Sequence, residues 1–173
     1  MAATVIIREY NGTSGGETGT DKTSGTIRFK KADNATVDNA NPLVKPTTGQ
    51  VDRSYEKWTR LRITGTGPTG SITAPKFYTS GSQGSGSTTY VRTTNPSSYA
   101  TPAIPANDAA GTDATTYSSG SPKSIDVANA GPYTGTNTDI ADLVVLWTKI
   151  DDTITAPQNP TSTITLSYQY SET

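Results

Sequence analysis

Apolar and polar residues alternate in short runs along this chain, and a period of two is typical of half-buried β-strands. The last run is the clearest, because Ile164, Leu166, Tyr168 and Tyr170 share one face opposite threonine, serine and glutamine. Most runs are bounded by glycine, proline or asparagine, which favour turns. The pattern predicts eight or so strands, at residues 4–10, 25–30, 55–64, 72–79, 88–93, 124–127, 143–147 and 162–170.

The apolar run at residues 143–147 (LVVLW) has no counterpart of equal length elsewhere in the chain. An uninterrupted run of this kind predicts a strand that is covered on both faces, at the centre of a sandwich. Directly before it, residues 139–142 are expected to form a single helical turn with an aspartate cap.

Two strands carry more specific expectations. In the third, Trp58 falls on the face opposite Leu61 and Ile63, which predicts a bulge or a tryptophan packed outside the main core. Residues 72–79 and 88–93 are expected to form a hairpin, because only a flexible loop rich in glycine and serine separates them.

Long polar segments connect the strands. We expect an extended amino-terminal segment at about 1–24 and a long excursion at about 95–122. Loops of that length are uncommon and often functional, although a surface loop held by its own aromatic rings explains the same pattern. The chain is therefore predicted to be one all-β domain over residues 1–173, an antiparallel two-sheet β-sandwich of jelly-roll or immunoglobulin-like type with long polar loops.

The composition removes most catalytic chemistry. The 173 residues include no histidine and no cysteine, so the imidazole, the thiolate and the commonest soft metal ligands are missing. Aspartate pairs such as Asp108 with Asp113 lack the spacing of a calcium loop and are interpreted as turn or surface residues. We expect no catalytic residue, no cofactor and no metal site, hence no enzyme; a hydrolase with paired carboxylates is the remaining enzymatic alternative.

Charge is nearly balanced overall, with a net value of −1, but it is uneven along the chain. Residues 1–76 hold 11 basic against 7 acidic side chains, and residues 77–173 hold 3 against 8. The two halves either form a basic and an acidic face or interleave and cancel. So little positive charge argues against nucleic acid as a partner, and no run approaches the roughly 20 apolar residues of a membrane span.

The core is expected to be thin, because leucine, isoleucine, valine and phenylalanine together make up about 15% of the residues. A chain with so few core residues is expected to draw stability from neighbours, as a homo-oligomer or in a larger assembly. The first ten residues lack the layout of a signal peptide. The lack of cysteine fits a chain made in a reducing cytoplasm, although cysteine-free secreted proteins also exist.

Aromatic side chains offer an alternative of a different class. In β-sandwich carbohydrate-binding modules, exposed rings stack on sugars, and a module of this kind would suit a host-recognition appendage. Trp58 is the candidate stacking residue, whereas Trp147 lies inside the apolar run and is expected in the core.

Several segments resemble small virion structural proteins of tailed bacteriophages: VIIREYNG, TDKTSGTIRFKKADN, SYEKWTRLRITG, ITAPKFYTSGSQGSG and TITLSYQYSET. The resemblance spans most of the chain and consists of strand and turn patterns without catalytic content. It implies a β-sandwich that acts as a capsid decoration (cement) protein, or as a neck or tail component. It also implies a protein that is made in the host cytoplasm and resides in the virion.

The expected function is therefore to stabilise junctions between capsid subunits. The expected partners are the major capsid protein or other virion proteins, together with further copies of the chain. Partner contacts are predicted in the amino-terminal segment and in the long excursion, at Val5, Ile6, Ile7, Tyr10, Tyr99, Ile104 and Tyr117.

Overall fold

A computed structural model describes residues 3–65, 67–155 and 164–173. Within those ranges the chain forms strands and two 3-10 turns, and no α-helix is present. The strands are β1 (Thr4–Asn11), β2 (Thr18–Asp21), β3 (Val51–Arg53), β4 (Lys57–Thr64), β5 (Ile72–Gly81), β6 (Ser87–Thr94), β7 (Thr112–Asp113), β8 (Lys123–Ser124), β9 (Asp139–Asp151) and β10 (Ile164–Glu172).

The strands form two antiparallel sheets. The larger sheet has the order β2-β1-β4-β9-β6-β7, and β3 pairs with the far end of β9 beyond β4. The smaller sheet has the order β10-β5-β8. The predicted all-β, antiparallel two-sheet sandwich is confirmed, whereas its jelly-roll or immunoglobulin-like type stays a prediction.

Strand β9 is the central strand that the apolar run predicts. It pairs with β4 on one edge and with β6 on the other, and its residues from Ile140 to Thr148 are all buried. Alternate side chains serve two cores: Val144 and Leu146 pack between the sheets, and Leu143 and Val145 pack on the other face of the large sheet.

The predicted helical turn at residues 139–142 is wrong, because these residues begin β9 and pair with β4. The Asp142 carboxylate does accept backbone hydrogen bonds, but its donors are the N–H groups of Val127, Ala128 and Asn129 in the preceding loop. The aspartate therefore fixes a loop against the strand rather than capping a helix.

A bulge interrupts the pairing of β4 with β9 close to Trp58, but it lies in β9 rather than in the strand that carries the tryptophan. Thr59 pairs with Val144 and Leu61 with Ile140, so β9 holds extra residues at this point. Ala141, within the bulge, has a φ of 64°. The bulge does not change the phase of β4, so Trp58 stays on the face opposite Leu61. It packs outside the main core, in a separate buried cluster with Tyr10 of β1 and with Leu143 and Val145 of β9, which we call the outer cluster. Of the two predicted alternatives, packing outside the main core is therefore confirmed.

The strand predicted at residues 25–30 is wrong. This segment joins no sheet, and the carbonyl of Lys30 accepts its bond from Tyr55 N–H, 3.0 Å away, outside any ladder. Phe29 packs against the main core and the Lys30 side chain is buried. Burial does not alternate along the segment, because Ile27, Arg28 and Phe29 are all half-buried and Lys30, predicted on the solvent face, is buried. The segment covers the main core without forming a strand.

The predicted hairpin of residues 72–79 with 88–93 is also wrong, because the two strands belong to different sheets. β5 pairs with β10 and β8, whereas β6 pairs along its full length with β9. The intervening loop crosses between the sheets, where Gln83 bonds the backbone N–H of Thr89 and the carboxylate of Asp113. Pairing of β6 with the apolar centre of β9 therefore determines which sheet β6 joins, although only a short loop connects β6 to β5.

The closing strand is half-buried as predicted. Ile164, Leu166 and Tyr168 pack against the main core, while Tyr170 is 37% exposed. Ser162 and Thr163, the start of the predicted strand, lie outside the described residues. Of the strand predicted at 124–127, only Ser124 lies in a strand, as part of β8.

Truncation of Leu146 to alanine tests the central role of β9. Leu146 is fully buried at the middle of the strand, so Leu146→Ala is expected to lower the free energy of unfolding by about 2–5 kcal/mol. Val127→Ala, at a side chain that is 78% exposed, is the matched control and is expected to change it by no more than about 0.5 kcal/mol. Urea denaturation measures both; equal effects would contradict the central placement.

Candidate partner-contact surface and a buried polar cluster

The amino-terminal candidates lie in β1, which confirms the strand predicted at residues 4–10. β1 pairs with β4 from Thr4 to Tyr10, and its second half also pairs with β2. Val5, Ile6 and Ile7 are half-buried. The amino-terminal segment therefore belongs to the large sheet, and deleting β1 would remove a strand of that sheet together with any contact it makes.

Tyr10 has little surface to offer a partner. Its side chain is 8% exposed, and its hydroxyl donates a hydrogen bond of 2.7 Å to Asp139 Oδ2. Burial, followed by that bond to an anion, raises the pKa of Tyr10 well above its ordinary value. Tyr10 is therefore a structural residue of the outer cluster.

Tyr99 anchors the long excursion to the same cluster. Its ring meets the Trp58 ring edge-on with centroids 5.1 Å apart, and its hydroxyl donates to the carbonyl oxygen of Gly12 at 2.9 Å. Desolvation raises the pKa of Tyr99 as well. The excursion thus covers the outer face of the large sheet, which β9 makes apolar.

Trp58 is only 2% exposed, so it presents no ring face to a sugar. Tyr99 covers it on one side, the Arg92 guanidinium lies 5.1 Å from the ring centroid, and the indole Nε1 donates to Glu56 at 3.1 Å. This corrects the carbohydrate-stacking expectation for this residue. The sequence predicts that the Trp58 side chain points away from the main core. The residues that cover it, Tyr99 and Arg92, lie about forty positions further along the chain.

A second anchor fixes the excursion near its middle. The Asp108 carboxylate accepts bonds of 2.9 and 2.8 Å from the Arg53 guanidinium and one of 3.0 Å from Trp147 Nε1. These donors, Arg53 first, hold the pKa of Asp108 below its ordinary value. Gly111 lies against Trp147, where a Cβ would be 2.4 Å from the ring, so only glycine fits there.

The two remaining candidates differ in exposure. Tyr117 is half-buried against the main core, and its carbonyl accepts the backbone N–H of Thr79 at 2.8 Å. Ile104 is 41% exposed on the anchored excursion. Of the seven predicted contact residues, Ile104 is therefore the one with the largest free apolar surface.

Two valines that the sequence analysis did not single out lie on neighbouring segments. Val44 is 53% exposed and its N–H donates to Asp52 at 3.1 Å, and Val51 is 42% exposed in β3. The excursion joins the same region, because the carbonyl of Ala103 accepts the N–H of Glu56. We refer to Val44, Val51 and Ile104 as the apolar triplet. Val51 lies within residues 51–56, and the segments that carry Val44 and Ile104 are hydrogen-bonded to those residues.

A buried polar cluster is the feature that the sequence analysis missed. Glu9 and Lys57 are fully buried, and Lys57 Nζ lies 3.0 Å from Glu9 Oε1. Lys22 Nζ lies 3.8 Å from Glu9 Oε2, which has no hydrogen-bond partner among the described residues. The sequence contains a signal for this cluster, because Glu9 is in phase with the apolar Val5 and Ile7 of its strand. Lys57 is likewise in phase with Leu61 and Ile63.

The lysines of this cluster hold the loop that covers it. Their ammonium groups donate to carbonyl oxygens of the loop: Lys57 to Asn34 at 2.7 Å, Lys22 to Thr26 and Ala35, and Lys30 to Thr36. Lys30 also pairs with Asp38 at 2.8 Å. Residues 22–38 therefore close this part of the inner face of the large sheet through charged groups.

A cavity of about 540 Å³ lies beside this loop, between the sheets. Its wall is mixed, with Phe29, Leu166 and Ile150 next to Lys22 and Thr148. Ile154 and Ile164, which flank the undescribed residues 156–163, also line it.

Other chemistry is sparse in the part of the chain that the structure describes. There, no three histidine, cysteine, aspartate or glutamate side chains are close enough together to hold a metal ion. The described residues likewise include no helix long and apolar enough to cross a membrane. Ion pairs join the basic and acidic halves of the chain, as in Arg53–Asp108 and Arg62–Asp139, so opposite charges from the two halves interleave at these points.

Asp108→Asn is expected to reveal the second anchor through its pH dependence. A pKa lowered by folding makes the ionised group stabilising above its ordinary pKa of about 4, and this contribution is lost as pH falls through the lowered value. The melting temperature of the variant should therefore lie below that of the wild type at neutral pH, and the two should converge below about pH 4.

Glu17→Gln, at an exposed carboxylate, makes the same change of charge and serves as the control. It is expected to leave the melting temperature unchanged between neutral pH and about pH 4. A constant difference between Asp108→Asn and wild type down to strongly acidic pH would contradict the ion-pair anchor.

No protein-family model, no curated protein and no solved structure matches this chain.

Proposed function

We propose that the protein is a non-enzymatic structural protein of a phage virion, and that it acts as a capsid decoration protein at junctions between capsid subunits. The observation that carries the proposal is the position of Ile104. Its exposed apolar side chain lies on the long excursion between the anchors at Tyr99 and Asp108. The resemblance of the sequence to small virion proteins supports the same assignment.

The two anchors give the excursion a defined shape before any partner binds. Tyr99 is held in the outer aromatic cluster, and Asp108 is held by Arg53 and Trp147. A contact on a preorganised segment loses less conformational entropy on binding than one on a mobile loop. Ile104, between the two anchors, is therefore suited to insert into a neighbouring subunit.

The rest of the apolar triplet extends this contact. Val44 and Val51 expose about half of their side chains on segments bound to the same region. Each apolar Å² that a capsid junction removes from water contributes about 25 cal/mol. Several copies around one junction would multiply the gain through effective concentration, which is why we propose a homo-oligomer.

Rebinding to particles tests the proposal. Heads of the phage that encodes the chain, prepared without this protein, are mixed with purified wild type and sedimented. We expect saturable binding, and Ile104→Asp should weaken it about tenfold or more, a loss of at least about 1.4 kcal/mol, because a charge would be buried at the contact. Val44→Asp and Val51→Asp should weaken it in the same direction.

Val127→Asp is the matched control, since Val127 is 78% exposed and lies outside the triplet. Equal weakening by this variant would contradict the proposed surface. Absence of wild-type binding to heads, with antibody labelling at the neck or tail, would replace decoration by the neck or tail role.

A further inference from the structure

We propose that Lys57 and Asn11 become joined by an intramolecular amide bond, formed within the buried polar cluster with Glu9 as the proton carrier. The bond would tie β1 to β4 covalently. The inference rests on the geometry of the cluster alone and is independent of the proposed function.

The strand register brings the two reacting side chains together. Tyr10 pairs with Trp58, so the next positions along the two antiparallel strands, Asn11 and Lys57, lie across from one another. Cβ atoms of such pairs are about 4.5–5.5 Å apart. Glu9 lies two residues before Asn11 and therefore points to the same side of the sheet.

One oxygen atom contacts both reacting groups. Glu9 Oε1 lies 3.0 Å from Lys57 Nζ, and it accepts a longer contact of 3.4 Å from Asn11 Nδ2. The nucleophile and the leaving group of an amide exchange thus share a single carboxylate oxygen. A proton taken from the amine can be delivered by the same atom to the departing nitrogen.

Burial favours the reaction. Lys57 and Glu9 are fully buried, and Glu9 Oε2 has no hydrogen-bond partner within the described part of the chain. Proton transfer from the Lys57 ammonium to the Glu9 carboxylate that it contacts supplies the uncharged amine that nucleophilic attack requires. The carbonyl oxygen of Asn34, 2.7 Å from Lys57 Nζ, fixes the amine in place.

The leaving nitrogen is also held. Asn11 Nδ2 donates to Asp33 Oδ1 at 2.8 Å, and Asp33 Oδ2 accepts the N–H of Gly12 at 2.8 Å. The second bond keeps the Gly12 nitrogen engaged, which opposes the competing ring closure of an Asn-Gly pair. Asn11 and Asp33 line a surface depression, so ammonia has a path to solvent.

The step balances without an oxidant or any other reagent. Lys57 Nζ attacks Asn11 Cγ, and the Nζ–Cγ bond forms as the Cγ–Nδ2 bond breaks. Glu9 first accepts a proton from the ammonium, and protons then pass from the attacking nitrogen to Nδ2. The products are one amide and ammonia, which leaves with the remaining proton as ammonium.

Mass spectrometry of the denatured full chain tests the proposal. The wild type is expected to be lighter than its sequence by the mass of one ammonia. After trypsin, a branched peptide should join residues 9–22 to residues 54–60, because the modified Lys57 is no longer cleaved. A wild type of full mass, with separate peptides ending at Lys57, would overturn the proposal.

Three variants assign the atoms. Lys57→Arg and Asn11→Ala should restore the full mass expected for each sequence, and Glu9→Gln should leave most of the protein uncoupled. Lys30→Arg, at a buried lysine of the same cluster that does not contact Glu9, is the control and should keep the branched peptide. A loss of ammonia that persists in Lys57→Arg would indicate ring closure at Asn11-Gly12 and would also overturn the proposal.

If a variant fails to fold, the proposal is still tested, because the peptide map of the wild type alone decides whether the bond exists. Circular dichroism of each variant separates loss of the cross-link from loss of the fold.

Discussion

Strand β9 must be buried on both faces and hydrogen-bonded on both edges, and most of the structure follows from meeting that requirement. Its edges are paired by β4 with β3 on one side and by β6 on the other. Val144 and Leu146 face the small sheet, and Leu143 and Val145 face away from it. A sandwich of two sheets covers only the first pair. The second pair needs a cover, and none of the strands in the described ranges provides one.

The long excursion supplies that cover, which explains why a polar segment of this length is ordered. Tyr99 closes the cluster around Trp58, and Asp108 accepts a bond from the indole of Trp147 within β9. The excursion is therefore part of the packing of the large sheet as well as a surface segment. Functional and structural explanations of its length are compatible, because the same anchors that bury β9 also hold Ile104 in solvent.

The inner face of the large sheet carries buried charged side chains rather than uncovered apolar ones. On this face Glu9 and Lys57 point inward and are fully buried, so their charges need partners within the fold. Ion pairing and lysine bonds to loop carbonyls close this region instead. A buried ion pair contributes little net stability over apolar packing, but removal of one partner is costly, so such a cluster specifies one arrangement of the loop. The same confinement brings an amine, a carboxylate and a carboxamide into contact.

The sequence by itself determined the all-β class, the buried central strand, the half-buried last strand and the outward position of Trp58. These follow from the period of two, which is a local property of the backbone. It also placed Glu9 and Lys57 in phase with apolar neighbours. Only the tertiary structure decided what lies opposite each face: that β5 and β6 join different sheets, that residues 25–30 cover a cavity, and that Tyr99 shields Trp58. Those outcomes depend on contacts between residues distant in the chain, whose energies the local pattern does not contain.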